Sequence, residues 1–142
     1  MLRLGVWNTR GWSVRENENS NFRKFVLEYS NCDIFALTET FLRENERLNI
    51  PVYEFYGNNR KRLHRNAMRG SGGVGILLKR NILDLFTCEV LSSEYEGILW
   101  IQLKAITTDF CVNVAVCYLP PSGSSRETES DLFFSKSVGG SL

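Results

Sequence analysis

The sequence CDIFALT, from Cys32 to Thr38, is an almost unbroken apolar run, and Glu39 follows it directly. Such a run is typical of a β-strand that is covered on both faces. Glu39 therefore stands where the strand is expected to end. Because ligands gather at the carboxyl ends of the strands in open α/β sheets, Glu39 is the first candidate for a functional residue.

The residues before this run predict a strand, a loop and a helix. Leu2 to Trp7 has the composition of a short buried strand, and the polar turn Asn8-Thr-Arg-Gly11 ends it. An amphipathic helix is expected next, with apolar residues at the helical spacing i, i+3, i+4 and i+7 in Phe22, Phe25, Val26 and Tyr29. A crossover that contains a helix favours parallel pairing of the two strands.

The residues after Glu39 predict further strands, and from Gly72 onward antiparallel pairing is favoured because the connections there are short and lack a helical pattern. A loop and a short strand are expected within residues 40–58, where Tyr53 to Tyr56 is aromatic, and the later strands are Gly72 to Lys79, Leu99 to Lys104 and Phe110 to Tyr118. The last of these has few polar residues and is expected at the centre of its sheet. Pro120 and Pro121 then end the sheet.

The composition indicates one folded domain, since the chain has 142 residues, of which 43% are hydrophobic. A net charge of +1 does not by itself indicate a nucleic-acid-binding protein. The four cysteines form no Cys-x-x-Cys pair and lie far from His64, so they predict small core residues of a reduced intracellular protein rather than a zinc site. No segment has the length and hydropathy of a membrane span or a signal peptide, so no membrane partner is expected.

Four motifs in a fixed order resemble those of the endonuclease/exonuclease/phosphatase superfamily. They are W-N-x-R-G from Trp7, A-L-T-E-T-F-L from Ala36, G-S-G-G-V-G-I-L-L-K from Gly70 and V-C-Y-L-P-P from Val116. More narrowly, the chain looks like the N-terminal part of the apurinic-type endonuclease domain that heads the reverse-transcriptase polyprotein of non-LTR retrotransposons. The resemblance implies a DNase I-like, four-layer α/β sandwich. The chain would supply its N-terminal half, with one mixed β-sheet and an amphipathic helix, and would leave an apolar sheet face exposed for self-association.

The same resemblance implies a hydrolytic site for DNA phosphodiesters, with nuclear localisation inferred from that substrate. Asn8 would position the phosphate and the metal-bound water, Glu39 would bind Mg²⁺ or Mn²⁺ together with Asn8, and Tyr118 would hydrogen-bond the scissile phosphate. Mg²⁺ commonly takes only one or two protein carboxylates beside waters and substrate phosphate, so a single glutamate suits it.

The chain departs from the family after Pro121, where the family has a Gly-Asp-x-Asn strand and a Ser-Asp-His segment that this sequence lacks. Residues 1–142 are therefore expected to form a single truncated domain, with 122–142 either poorly ordered or the start of an incomplete helix. Catalysis is expected to be impaired, and whether the chain is an enzyme stays open. The alternatives are a non-catalytic DNA- or protein-binding remnant and a phosphatase of the same superfamily.

Three further patterns have competing interpretations. The basic residues Arg10, Arg60, Lys61, Arg62, Arg65 and Arg69 either contact a nucleic-acid backbone or are solvated charges. Trp12 either stacks on a base or anchors the packing of its loop. Gly70 to Gly75 matches G-x-G-x-x-G but precedes a β-like segment, which favours close backbone approach over dinucleotide binding.

Overall fold

Seven strands form two sheets in the computed structural model, which describes residues 2–12, 18–60 and 72–119, with only the backbone for residues 18–20. The first sheet contains β1 (Leu4–Asn8), β2 (Ile34–Thr38), β3 (Tyr53–Asn58) and β4 (Val74–Lys79). The second contains β5 (Phe86–Ser92), β6 (Ile98–Ala105) and β7 (Cys111–Cys117). One α-helix, α1 (Glu18–Ser30), joins β1 to β2, and a 3-10 helix, Arg80–Asp84, joins β4 to β5.

The first sheet is mixed, with the strand order β1-β2-β4-β3. As the helical crossover predicts, β1 runs parallel to β2, and Asn8 lies beside Thr38 at the end of both strands. β4 runs antiparallel to β2 and to β3, and the later pairs β5–β6 and β6–β7 are antiparallel as the short connections from Gly72 onward predicted. The start of β4 therefore lies at the same edge of the sheet as Asn8 and Glu39.

The second sheet is antiparallel, with the order β5-β6-β7. The prediction that the last strand lies at the centre of its sheet is wrong for the described residues, because β6 is central and β7 has one described neighbour. Val112, Val114 and Val116 of β7 pack into the core, whereas Cys111 and Cys117 alternate with them and are exposed. The low polarity of the β7 sequence thus reflects exposed cysteines as well as buried valines. The prediction that all four cysteines are core residues is wrong, because Cys32 and Cys88 are partly buried and the other two are exposed.

The two sheets pack face to face around a core that links them. Its fully buried side chains come from both sheets and are Ile34, Val74, Ile76, Leu78, Leu99, Ile101 and Leu103. Each contributes about 1.5 to 3 kcal/mol by leaving water. Apolar side chains of the described strands remain exposed on β1, where Leu4 and Val6 are 61% and 79% exposed, and on β5, where Val90 and Leu91 are exposed.

The outer face of the mixed sheet is covered by α1 and by the loops that follow β1 and β2. Among the side chains of α1 that the structure describes, Leu27 is the buried one, and it packs in one cluster with Trp12, Phe35 and Leu37. The apolar stripe predicted for this helix is largely not the buried face, because Phe22, Phe25 and Tyr29 are exposed. Helical spacing identifies an apolar stripe, but the sheet contacts the side of the helix that carries Leu27.

Several expectations concern residues outside the described ranges. These are the state of residues 122–142 and the placement of His64, Lys61, Arg62, Arg65 and Arg69. Within the described part of the chain, α1 is neither long nor apolar enough to cross a bilayer.

Candidate functional site

Glu39 follows β2 in a left-handed backbone conformation, with φ at +51°. This conformation is rare for a residue with a side chain and is kept only where the surroundings fix it. Two groups of the loop after β1 fix it here. The Gly11 amide donates to the Glu39 carbonyl oxygen at 2.7 Å, and the Thr9 hydroxyl lies 2.8 Å from the same oxygen.

Tyr118, from the second sheet, contacts the side chain of Glu39. It follows β7, and its hydroxyl donates to Glu39 Oε1 at 2.5 Å. Hydrogen bonds to a carboxylate are among the stronger ones in proteins. The Glu39 carboxylate accepts no second hydrogen bond from the described residues. Its other oxygen, Oε2, is therefore available for another ligand. Two of the three residues singled out from the sequence are therefore in direct contact.

Asn8, the third of them, is the exposed last residue of β1 and lies beside Thr38, one residue before Glu39. Its Oδ1 accepts a hydrogen bond from the Arg10 amide at 3.2 Å. This bond uses one of the two lone pairs of Oδ1, which leaves the other lone pair for a metal ion and the Nδ2 protons for a phosphate oxygen. Arg10 is exposed at the same edge of the sheet.

Aromatic packing in the core stabilises the loop that contains Asn8 and Arg10. Trp12 is buried, and its ring contacts Trp7 edge-on with 5.6 Å between centroids. The Arg23 guanidinium of α1 lies 5.1 Å from the Trp12 ring centroid and donates to the Gly11 carbonyl oxygen at 2.6 Å. Burial lowers the pKa of Arg23. Trp12 is thus a packing anchor and is not placed to stack on a base.

The glycines before β4 allow the chain to approach the segment after Glu39. Gly72 and Gly73 accept hydrogen bonds from the amides of Phe41 and Thr40. Gly73 has φ at +89°, and a Cβ there would lie 2.5 Å from the Thr40 hydroxyl oxygen. A strand follows these glycines, so close approach explains them and a dinucleotide site does not.

Asn58 was missed by sequence reasoning, although it lies at the same edge as the predicted site. It is 5% exposed at the end of β3, and its Nδ2 donates to the carbonyl oxygens of Tyr95 and Ile98, both at 2.8 Å. The Gly97 carbonyl between them accepts the Tyr118 amide at 2.8 Å. Asn58 therefore anchors the turn that receives Tyr118. The available signal was a polar residue directly after an aromatic strand.

Arg60 begins the basic stretch and is its one member in the described part of the chain. Its Nε lies 4.0 Å from Oε2 of Glu96, in the same turn that Asn58 anchors. Asn59, between Asn58 and Arg60, donates to the carbonyl oxygens of Arg43 and Glu46 at 2.7 Å each. The start of the basic stretch is thus attached to two loops at this edge of the molecule.

The residues at this edge fit a hard divalent cation whose ligands are mostly water and substrate oxygens rather than protein side chains. No group of three His, Cys, Asp or Glu side chains that could hold a metal occurs in residues 2–12, 18–60 and 72–119. A single partly exposed carboxylate with one oxygen available is nevertheless a sufficient protein ligand for Mg²⁺ when waters and a substrate phosphate complete the shell.

No family model matches the sequence, but two curated proteins are similar to it. The RNA-directed DNA polymerase from the mobile element jockey of Drosophila melanogaster is 26% identical over 121 residues, which is 85% of this chain and 12% of that protein. The Drosophila funebris protein of the same description is 26% identical over 126 residues, with 84% and 12% covered. The chain thus spans about an eighth of the length of these relatives.

Two solved structures share the fold. The AP endonuclease LMAP from Leishmania major superposes with a TM-score of 0.74 at 19% identity, over 96% of this chain and 46% of that one. TDP2 from D. rerio, complexed with a single-strand DNA product, gives a TM-score of 0.50 at 13% identity, over 99% and 56%. Together with the mobile-element relatives, these structures confirm the resemblance that the four motifs indicated: the chain has the DNase I-like α/β fold of the endonuclease/exonuclease/phosphatase superfamily.

Proposed function

We propose that the chain is part of a metal-dependent phosphodiester hydrolase domain of the DNA endonuclease type. The observation that carries the proposal is the 2.5 Å hydrogen bond from Tyr118 to Glu39, which joins two sheets at the edge where β1 also ends. A carboxylate, a phenol and an amide at one edge are the groups that a phosphodiester and its metal need.

Each of the three side chains has a distinct role in this proposal. Glu39 would bind Mg²⁺ or Mn²⁺ through Oε2, the oxygen that Tyr118 does not occupy. When bound, the metal supplies positive charge that stabilises the phosphoryl oxygens during attack. When substrate binds, Tyr118 would turn its hydroxyl proton from Glu39 Oε1 to the scissile phosphate, and Asn8 would donate from Nδ2 to a second phosphate oxygen. Both donors are held by rigid strand ends, which keeps them oriented.

We further propose that these 142 residues bind DNA and cleave it weakly or not at all. The sequence after Pro121 contains neither a Gly-Asp-x-Asn nor a Ser-Asp-His segment, so it encodes no aspartate or histidine of those motifs to activate water. Arg10, exposed two residues after Asn8, adds positive charge at this edge, which favours a DNA backbone as the partner. A DNA substrate is also the reason to propose a nuclear location.

Self-association through β1 is a further part of the proposal. Leu4 and Val6 lie on the face of the first sheet that is otherwise packed against the second, and both are largely exposed. Covering them with a second copy would remove apolar surface from water. Analytical ultracentrifugation tests this: Val6→Lys should shift a dimer to monomer, whereas a wild-type monomer at all concentrations would contradict it.

The experiment that tests the proposed function measures binding of a fluorescent DNA duplex by anisotropy, with Mg²⁺ and with EDTA, for the wild type and Glu39→Gln. The proposal predicts tighter binding with Mg²⁺ that Glu39→Gln abolishes, together with little plasmid nicking by either protein. Steeply salt-dependent binding that is insensitive to Mg²⁺ and to Glu39→Gln would favour a non-catalytic remnant instead. Release of phosphate from a phosphomonoester, lost in Glu39→Gln, would favour a phosphatase.

A further inference from the structure

The backbone of Glu39 is held in a conformation that it would not adopt by itself. A residue with a side chain at φ +51° costs about 1 to 3 kcal/mol relative to an ordinary conformation. The direction of the Glu39 side chain follows from this conformation, because φ and ψ at Cα set where Cβ points. Whatever fixes the backbone at this residue therefore also fixes the position of Cβ, from which the side chain reaches Tyr118.

The Thr9 side chain is the one side chain in the described ranges that contacts this backbone through a hydrogen bond. Its hydroxyl oxygen lies 2.8 Å from the Glu39 carbonyl oxygen and 3.1 Å from that of Thr38, so one proton is shared between the two carbonyls. The Thr9 amide donates separately to the Thr38 carbonyl at 3.0 Å. The hydroxyl is thus an addition to the backbone hydrogen bonds and can be removed without removing them.

We infer that Thr9 is a positioning residue for Glu39: its hydroxyl fixes the left-handed backbone and so directs the carboxylate toward Tyr118 and toward a metal ion. Thr9 itself does not touch the carboxylate. The inference rests on the proposed function only for its metal arm, since the contact between Glu39 and Tyr118 can be observed without metal or DNA.

Matched substitutions separate the hydroxyl from the shape of the side chain. Thr9→Val keeps the branched shape and removes the hydrogen bond, whereas Thr9→Ser keeps the hydroxyl. Thr9→Ala is a second way to remove it, should the valine variant not fold. Each purified 142-residue protein is checked by circular dichroism before the measurements.

The first readout is the ¹³Cζ resonance of Tyr118 in tyrosine-labelled protein, assigned with Tyr118→Phe. Thr9→Val and Thr9→Ala should move it toward the value of a solvated phenol, and Thr9→Ser should leave it in place. The second readout is Mn²⁺ affinity by water-proton relaxation. Loss of the hydroxyl should weaken it about tenfold, as for other residues that orient a metal ligand, while Thr9→Ser should change it less than about twofold.

The two readouts distinguish failure of this inference from failure of the proposed function. A folded Thr9→Val protein with an unchanged Tyr118 resonance would overturn the role of Thr9, as would equal shifts in the valine and serine variants. Failure of both hydroxyl-free variants to fold would assign Thr9 a structural role and overturn the inference too. If the wild type binds no Mn²⁺, the proposed metal site fails, and the Tyr118 resonance still decides the role of Thr9.

Discussion

Replacing Asn58 by aspartate should destabilise the protein in a pH-dependent way. The Asn58 side chain is 5% exposed and donates two hydrogen bonds of 2.8 Å to carbonyl oxygens of the turn before β6. Asn58→Asp has nearly the same shape, but an ionised carboxylate offers no proton to either carbonyl. The substitution therefore turns two attractive contacts into two repulsive ones at a buried position.

The expected magnitude follows from these two contacts. A buried hydrogen bond contributes about 1 kcal/mol net, so losing both costs about 2 kcal/mol. Burial also raises the pKa of the introduced carboxyl above its unfolded value of about 3.9. Each pKa unit of that increase lowers the free energy of unfolding at neutral pH by about 1.4 kcal/mol. The folded state then binds more protons than the unfolded state between the two pKa values. Stability is consequently highest below about pH 3.9 and falls as the pH rises through the folded-state pKa.

The assay is urea unfolding at pH 4 and pH 7, followed by tryptophan fluorescence and circular dichroism. Relative to the wild type at the same pH, Asn58→Asp should lose at least about 2 kcal/mol at pH 7 and clearly less at pH 4. Asn113→Asp is the matched control, because Asn113 is exposed on β7 and its Oδ1 already accepts from Gln102. A loss in Asn58→Asp that matches this control at pH 7, or that is the same at both pH values, would show that the Asn58 amide is not a buried donor to this turn.

Three further perturbations test the packing around the site. Gly73→Ala should cost about 1 to 3 kcal/mol in urea unfolding, because it adds a Cβ 2.5 Å from the Thr40 hydroxyl at φ +89°; an unchanged midpoint would contradict this. Arg23→Met should lower the free energy of unfolding by about 1 to 2 kcal/mol, because it removes the charged hydrogen bond to the Gly11 carbonyl. Arg3→Met makes the same substitution at an exposed position and is the control, and equal losses in the two variants would contradict the prediction. Burial raises the pKa of Tyr56, and the hydrogen bond to the Cys88 thiol raises it further. As the pH rises above the ordinary tyrosine value of 10.0, Tyr56 therefore loses its proton in the unfolded state before it does so in the folded state. The free energy of unfolding should consequently fall above this pH. In pH-dependent unfolding Tyr56→Phe should lessen this fall, and an equally steep fall in the variant would show that Tyr56 is not its source.

The local features of the first sheet could be predicted from the sequence because they depend on neighbouring residues. The apolar run before Glu39 predicted β2, and the helical crossover predicted its parallel partner β1. The family resemblance then paired Glu39 with Tyr118, which lies 79 positions later and which no local pattern connects to it.

The features that were missed depend on which surfaces meet. The helix α1 has an apolar stripe in its sequence, but the sheet contacts the side that carries Leu27. No strand was predicted at β5, because four of its seven residues are exposed and it lacks the apolar run by which the other strands were recognised. Asn58 and Thr9 act through carbonyl groups of distant segments, and a side chain that binds backbone leaves no partner pattern in the sequence.

A double-mutant cycle on Mg²⁺-dependent DNA affinity, with Glu39→Gln, Tyr118→Phe and the combined variant, measures whether Glu39 and Tyr118 form one site. Because Glu39 and Tyr118 touch, each single variant should weaken the Mg²⁺-dependent binding, and the combined loss should be smaller than the sum of the two. Strictly additive losses would place the two side chains at separate sites. Mg²⁺-dependent binding that survives in all three variants would contradict the claim that these residues form a metal and phosphate site.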